Sequence, residues 1–486
     1  MSFVIYDLIF LVIFAVVVII FFYKNKKNVS REMKVAFLYR SQLGVKIIDY
    51  IGTKYKKTLK ALKYPIIVVG YFLMAGIVYL MIRAAWIYVS NPVLVTSVVK
   101  APPIAPVIPY FPKIFGLESF FPPLYFTYFI IAIGMVAIVH EFSHGIYMRY
   151  NKVRIKSTGV LFLGPLLGAF VEQDDKAMNK LPKSDQMSIL GAGVFANVIL
   201  GILFLLIWWM LFYVSFAPNG AIFNDYILGN TSVSSVNYIG GVKISDHTNN
   251  GLLFLLENNN FTNNLTLETI NGKVEFTKIN ANDGDYYIPV NSLKDQLLHN
   301  ESEIYMYKDL PAIESGLKGT IVKADSKEIK THNDLVEFLD GKKPGDSIRL
   351  ETIFNDENLK YQITLAENPD DSKKPLLGIS NYRSSRLNTA EAMAFFRNPY
   401  TDYKISNEFF SFIYYLVFWI CFLNLAVAFF NMLPASILDG GRFFYLTIWG
   451  ITGKEKVAKK AYKFAGIIIL GIFILIMVSW VIGITA

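Results

Sequence analysis

The sequence predicts a polytopic α-helical membrane protein: six transmembrane helices, a re-entrant hairpin and an inserted β-rich domain. Three observations carry this. The 486 residues are 53% hydrophobic, 15% aromatic and only 17% charged, too apolar for an ordinary soluble chain. Six apolar runs along the chain are long enough to cross the hydrocarbon of a bilayer. Between the fourth and fifth runs, from residue 217 to 404, the composition turns polar and mildly acidic, with short alternating runs punctuated by Gly or Asn turns. The net charge of +9 could suggest a nucleic-acid partner, but the basic residues crowd into segments between apolar runs, which reads as membrane topology and no nucleic acid. The single cysteine, Cys421, lies in an apolar run, so neither a disulfide framework nor a cysteine-rich metal site is available.

The first region, residues 1–64, opens with a span from Phe3 to Tyr23, interrupted only by Asp7. It lacks a basic start and a small-residue cleavage site, so it reads as an anchor rather than a removable signal. Lys24 to Lys63 carries roughly ten more basic than acidic residues, which places this loop in the cytoplasm and the N-terminus outside. Residues 65–122 hold the second span, Pro65 to Val89, and a stiff Pro-rich outer loop from Ala101 to Lys113.

Residues 123–216 contain the third span, about Pro123 to Tyr150, then Ser157 to Glu172, and a fourth span from Ser188 to Phe216. Ser157 to Glu172 is apolar but broken by glycines and a proline. It suits a hairpin or re-entrant element whose edge could pair with an extended peptide. Asn197, inside the fourth span, is assigned to helix packing. Residues 217–404 form the insertion, outside by topology, with Asn-x-Ser/Thr triplets at Asn230, Asn260, Asn264 and Asn300. His247, His299 and His332 are scattered there without ligand spacing and read as solvated. Leu310 to Phe354 runs strand, turn, short helix and strand, and resembles a PDZ domain of the protease-associated kind, spanning about 300–385. That resemblance implies a groove that accepts peptide ends by strand addition. Residues 405–486 carry the fifth span, Phe409 to Leu433, a basic cluster from Lys454 to Lys463, and the sixth span, Ala465 to Ile484. The two basic clusters agree on one topology, with both termini and the insertion outside.

Within the third span lies HEFSH, His140 to His144, in a stretch from Phe126 to Met148 that is apolar except at this motif. Residues four apart share a helix face, so His140 and His144 can hold one metal ion, while Glu141 beside them can act on a metal-bound water. Ionisable groups inside a span are expensive and mark function. Helix arithmetic at about 1.5 Å per residue puts His140 some 25 Å below the outer end, in the cytoplasmic part of the bilayer. A hydrolytic site usually needs a third protein ligand. Asp439 qualifies, because it follows the fifth span at the same depth, with Pro434 breaking the helix before it and Gly440-Gly441 freeing the backbone after it. Ligand type alone leaves several divalent ions open.

HEFSHG and NMLPASILDGG, the latter through Asn431, Pro434, Leu438, Asp439 and Gly440, resemble the motifs of the site-2 protease group of intramembrane zinc metalloproteases. GPLLGAFVE (Gly164 to Glu172) and GAGVFAN (Gly191 to Asn197) resemble that group's re-entrant sheet and following span. One departure is Gly191-Ala192-Gly193-Val194, where the group has an alanine-glycine-proline run; it is expected to touch packing more than ligation. The resemblance implies Zn2+ on His140, His144 and Asp439, Glu141 as general base, and Asn431 as a donor to the oxyanion. It also implies transmembrane protein substrates cut within their spans, often after another protease has removed the outer part. The competing classes are a divalent-metal transporter, a scaffold with a dead site, and a metalloprotease acting on exposed loops.

Overall fold

The computed structural model describes residues 3–25, 29–32, 36–118, 120–163, 166–258, 264–269, 272–299, 301–380 and 398–485. Gly164, Asn260, Asn300 and the 381–385 end of the PDZ-like stretch lie outside the described residues. The chain divides into two compact units, one of Met1–Ser215 with Glu408–Ala486, the other of Phe216–Asn407.

Among the described residues of the first unit, six helices are long and apolar enough to cross a membrane: α1 (Phe3–Lys24), α3 (Lys56–Ser90), α6 (Phe126–Tyr150), α8 (Lys183–Ser215), α9 (Glu408–Asn431) and α11 (Glu455–Thr485). Shorter helices join them: α2 (Leu43–Lys54), α4 (Pro92–Val98), α5 (Phe111–Ile114), α7 (Asp175–Asn179) and α10 (Asp439–Thr452). Helix α3 starts nine residues before the span expected from Pro65 and runs through that proline. Pro65 withholds a single backbone donor, and the Lys- and Leu-rich turns before it favour helix strongly enough to continue past it.

The interrupted stretch after α6 is an antiparallel hairpin of β3 (Ile155–Leu163) and β4 (Leu166–Gln173). Sequence reading did not anticipate its extension. β1 (Val29–Glu32) and β2 (Ala36–Ser41), from the basic loop, add to β3 and give a four-stranded sheet in the order β1-β2-β3-β4. Arg40 on β2 reaches Glu172 on β4 at 3.3 Å, and Ser157 on β3 donates to the same carboxylate at 2.8 Å. The far edge of β4 carries no further strand among the described residues and packs along α6.

Helix α1 is apolar throughout, yet its buried residue is the charged one, Asp7, at 1% exposure. Its carboxylate accepts from Phe126 N–H and Thr127 N–H at 2.8 Å each, and from the Tyr110 and Thr127 hydroxyls at 2.6 Å each. The first backbone donors of a helix have no partner within it, and Tyr125, preceding α6, supplies no side-chain cap. Asp7 therefore caps α6 from another helix, with its negative charge on the positive end of the α6 dipole. Asp7→Ala orphans two backbone donors and two hydroxyls in an apolar setting, and the full chain is expected to lose about 3 kcal/mol in a denaturant titration in detergent. Asp7→Asn, which keeps one acceptor oxygen, should lose less.

The second unit holds, among its described residues, a seven-stranded and a six-stranded sheet with separate apolar cores. Its entry strand Phe216–Ala221 pairs with its exit strand Thr401–Ile405, so both ends belong to one sheet. The strand–helix–strand order over 310–354 consists of Thr320–Ala324, His332–Asp340 and Ser347–Phe354. The helix starts at a capping box, with Thr331 accepting from Asp334 N–H and Asp334 accepting from Thr331 N–H, and it buries Leu335 against Ile321 and Leu350. His332 is half-buried beside Tyr400 rather than solvated, and burial lowers its imidazole pKa.

Candidate metal centre

Helices α6 and α8 run side by side, and their four-residue spacings match across the contact. His140 and His144 lie one turn apart on the buried face of α6, each 6% exposed. Opposite them, Gly193 and Asn197 lie one turn apart on α8. The third component comes from the break after α9. That helix ends at Asn431, residues 432–438 turn back on themselves, and α10 begins at Asp439. The double glycine makes the turn possible, because a Cβ on Gly440 would fall 2.6 Å from the Leu433 carbonyl oxygen, and one on Gly441 2.7 Å from the Ala435 carbonyl carbon.

The three expected ligands converge. His140 Nε2 and His144 Nε2 are 3.0 Å apart and lie 3.2 and 3.3 Å from Asp439 Oδ2. Ligands about 2.05 Å from a tetrahedral ion stand about 3.3 Å from one another, so the triangle has the size that such an ion requires. Donor chemistry agrees: two imidazoles and one carboxylate, in a buried place, leave a coordination position for water.

The imidazole orientations are set from behind. His144 Nδ1–H donates to the Ile189 carbonyl at 2.7 Å, which leaves the Nε2 lone pair facing the triangle. His140 Nδ1 lies 3.1 Å from the side-chain amide of Asn197, a residue with no solvent exposure. Asn197 Oδ1 is buried without a hydrogen-bond partner. With the amide turned over, that oxygen accepts from His140 Nδ1–H and Nε2 is left for a metal. Asn197 is thus a positioning residue for His140, where sequence reading assigned it to helix packing. Asn197→Leu, similar in shape, is expected to weaken divalent-metal affinity about 10- to 100-fold, measured by competition with a chelator.

Gly193 lines the ligand triangle from α8. A Cβ there would lie 2.8 Å from both His140 Cε1 and His144 Cε1, and closer still to His144 Nε2. Ala192 and Gly193 keep the alanine and glycine of the run, and the departure from it is Val194, which is fully buried in the apolar core around α6 and α8 and touches packing. Glu141 faces another way: its Oε2 accepts from Val171 N–H on β4 at 3.2 Å, which leaves Oε1 for a second partner. Asn431 Nδ2 lies 3.4 Å from His140 Nε2, so the residue expected to meet the oxyanion borders the triangle.

The profile described as peptidase family M50 matches residues 128–477, which include every residue of this centre. An uncharacterized protein of Methanocaldococcus jannaschii is 28% identical over 194 residues, covering 38% of this chain and 46% of that protein, so the match spans less than half of the relative's length. Among solved structures, the PDZ domain of an SdrC-like protein from Listeria monocytogenes is 22% identical, covers 15% of this chain and 76% of that domain, and has a TM-score of 0.13.

Proposed function

The chain belongs to peptidase family M50, and from that membership we propose that it is a zinc metalloendopeptidase that cuts membrane-anchored proteins within or near their transmembrane segments. The single observation that carries the proposal is the buried triangle of His140, His144 and Asp439 with Glu141 one residue from the first ligand. His140, His144 and Asp439 are its zinc ligands. When bound, the ion supplies Lewis-acid polarisation of the scissile carbonyl and brings the pKa of a water toward about 7. Glu141 takes the proton of the attacking water on Oε1 and passes it to the leaving amine, while its Oε2 stays on Val171 N–H. Asn431, whose amide borders the triangle, donates to the oxyanion.

A substrate helix must open before its carbonyls can react, since they are hydrogen-bonded along the helix. We assign the hairpin β3–β4 to the membrane as a re-entrant element and the edge of β4 to the opened strand. Val171 N–H points away from β3 toward Glu141, and by the two-residue period of a strand Ala169 presents its backbone on the same edge. A segment added there runs past the general base.

Charge distribution supports a topology with both termini and the insertion outside and the site near the cytoplasmic face. In this reading the PDZ-like part of the insertion receives peptide ends left by a prior cut, as in regulated intramembrane proteolysis. The test is to map the scissile bond of a purified single-span reporter incubated with the full chain in detergent. Cleavage inside or beside the span, abolished by chelation and restored by zinc, is the expected result. Cuts confined to exposed loops, or zinc flux without fragments, would overturn the assignment.

A further inference from the structure

Two cavities of the first unit meet at Ile51 and differ in chemistry. The first is a groove of about 380 Å³ bounded by α3, α6 and α8, lined by apolar side chains such as Leu59, Ile66, Ala196 and Leu203, and by Val139 and Ser143 of α6. Its α8 lining runs from Ala192 to Leu203, eleven residues and so about 17 Å along the helix axis. The second is a recess of about 570 Å³ lined by Lys46, Ile47, Tyr50, Ile51 and Tyr55. Lys54 stands beside it, its ammonium hydrogen-bonded to the Tyr50 hydroxyl and 4.7 and 5.7 Å from the centres of the Tyr50 and Tyr55 rings. Lys46, Lys54 and the neighbouring Lys56 are exposed, and none pairs with a carboxylate among the described residues.

We propose that the two cavities together bind one anionic phospholipid, with its headgroup in the recess and one acyl chain in the groove. Size selects the occupant of the groove. Three turns of a peptide helix about 10 Å across need on the order of 1,000 Å³, well beyond 380 Å³. A polymethylene chain, roughly 4 Å across by van der Waals contact, needs roughly 200 Å³ over the same length of about 17 Å. Charge selects the headgroup, since lysines over aromatic rings at the membrane boundary attract anionic lipid and leave a zwitterionic lipid without preference. The position also gives the lipid a consequence. Val139 and Ser143 each precede a histidine of the ligand triangle, about 100° around the helix from it, so the acyl chain braces the flank of α6 beside the face that carries the ligands.

The experiment is native mass spectrometry of the full-length chain, taken from nanodiscs of phosphatidylcholine with a minor share of phosphatidylglycerol. Wild type should retain phosphatidylglycerol about 30-fold over its share, the preference expected of two lysines at a membrane surface. Lys46→Glu with Lys54→Glu should abolish the preference, and Ile199→Trp, which fills the groove from an exposed position, should remove bound lipid of both kinds. Zinc content equal to wild type certifies that the variants are folded. Equal retention of both lipids by wild type, or unchanged phosphatidylglycerol retention by zinc-loaded variants, would overturn the proposal.

Discussion

Glu141→Gln is expected to reduce cleavage of a single-span substrate by a factor of about 10² to 10⁴, the range that a positioned general base contributes, with zinc content unchanged. The substitution isolates proton transfer. Glutamine keeps the length of glutamate and its carbonyl oxygen, so the hydrogen bond from Val171 N–H at 3.2 Å can persist and β4 stays where it is. It lacks the second oxygen that takes the proton. Because Glu141 is outside the triangle of His140, His144 and Asp439, metal loading is independent of it. Full cleavage by a zinc-loaded Glu141→Gln protein would sink the role given to this carboxylate. A transporter would behave in the opposite way, with flux surviving the change.

Gly193→Ala is the second large effect. One methyl group is a small perturbation on most helix faces and raises helix propensity, yet here it meets two imidazole rings at 2.8 Å. Neither ring can retreat freely, since His144 is held by the Ile189 carbonyl and His140 by Asn197. The ligand triangle must open, and zinc affinity should fall about 10- to 100-fold, as it does when the groups that orient ligands are disturbed. Cleavage should fall in step and recover partly with excess zinc. Gly134→Ala on α6 is the matched control, because a Cβ there meets nothing within 4 Å. Wild-type zinc affinity in the Gly193→Ala protein would show that α8 is more pliant than its packing implies.

These two residues also mark how far the sequence could be read. Glu141 was legible because HExxH is a spacing along one helix, and the apolar run around it made two histidines conspicuous. Asp439 was legible because it follows a second long apolar run, and helix arithmetic on the expected topology put it level with His140. Gly193 was not. Its contribution is an absence of atoms, which becomes meaningful only when the histidine rings stand opposite. Asn197 was read as packing because a buried amide can satisfy itself in many ways, and only the distance to His140 Nδ1 assigns its partner. The strands Val29–Glu32 and Ala36–Ser41 were hidden for another reason: in a short segment, topology is announced by charge while strand character rests on a few alternating side chains.

The cap that Asp7 places on α6 has a consequence for biosynthesis. Phe126 lies 119 residues after Asp7 in the chain, so α1 enters the bilayer long before its hydrogen-bond donors exist. A carboxylate in a newly inserted helix disfavours insertion by up to about 3 kcal/mol at the helix centre. The apolar residues around Asp7 can carry that, and the cost falls toward the helix end where Asp7 lies. Until α6 emerges, α1 is a provisional resident with an unsatisfied charge. Arrival of the HExxH helix settles it, so correct insertion of α6 and a satisfied charge on α1 are achieved by the same contact.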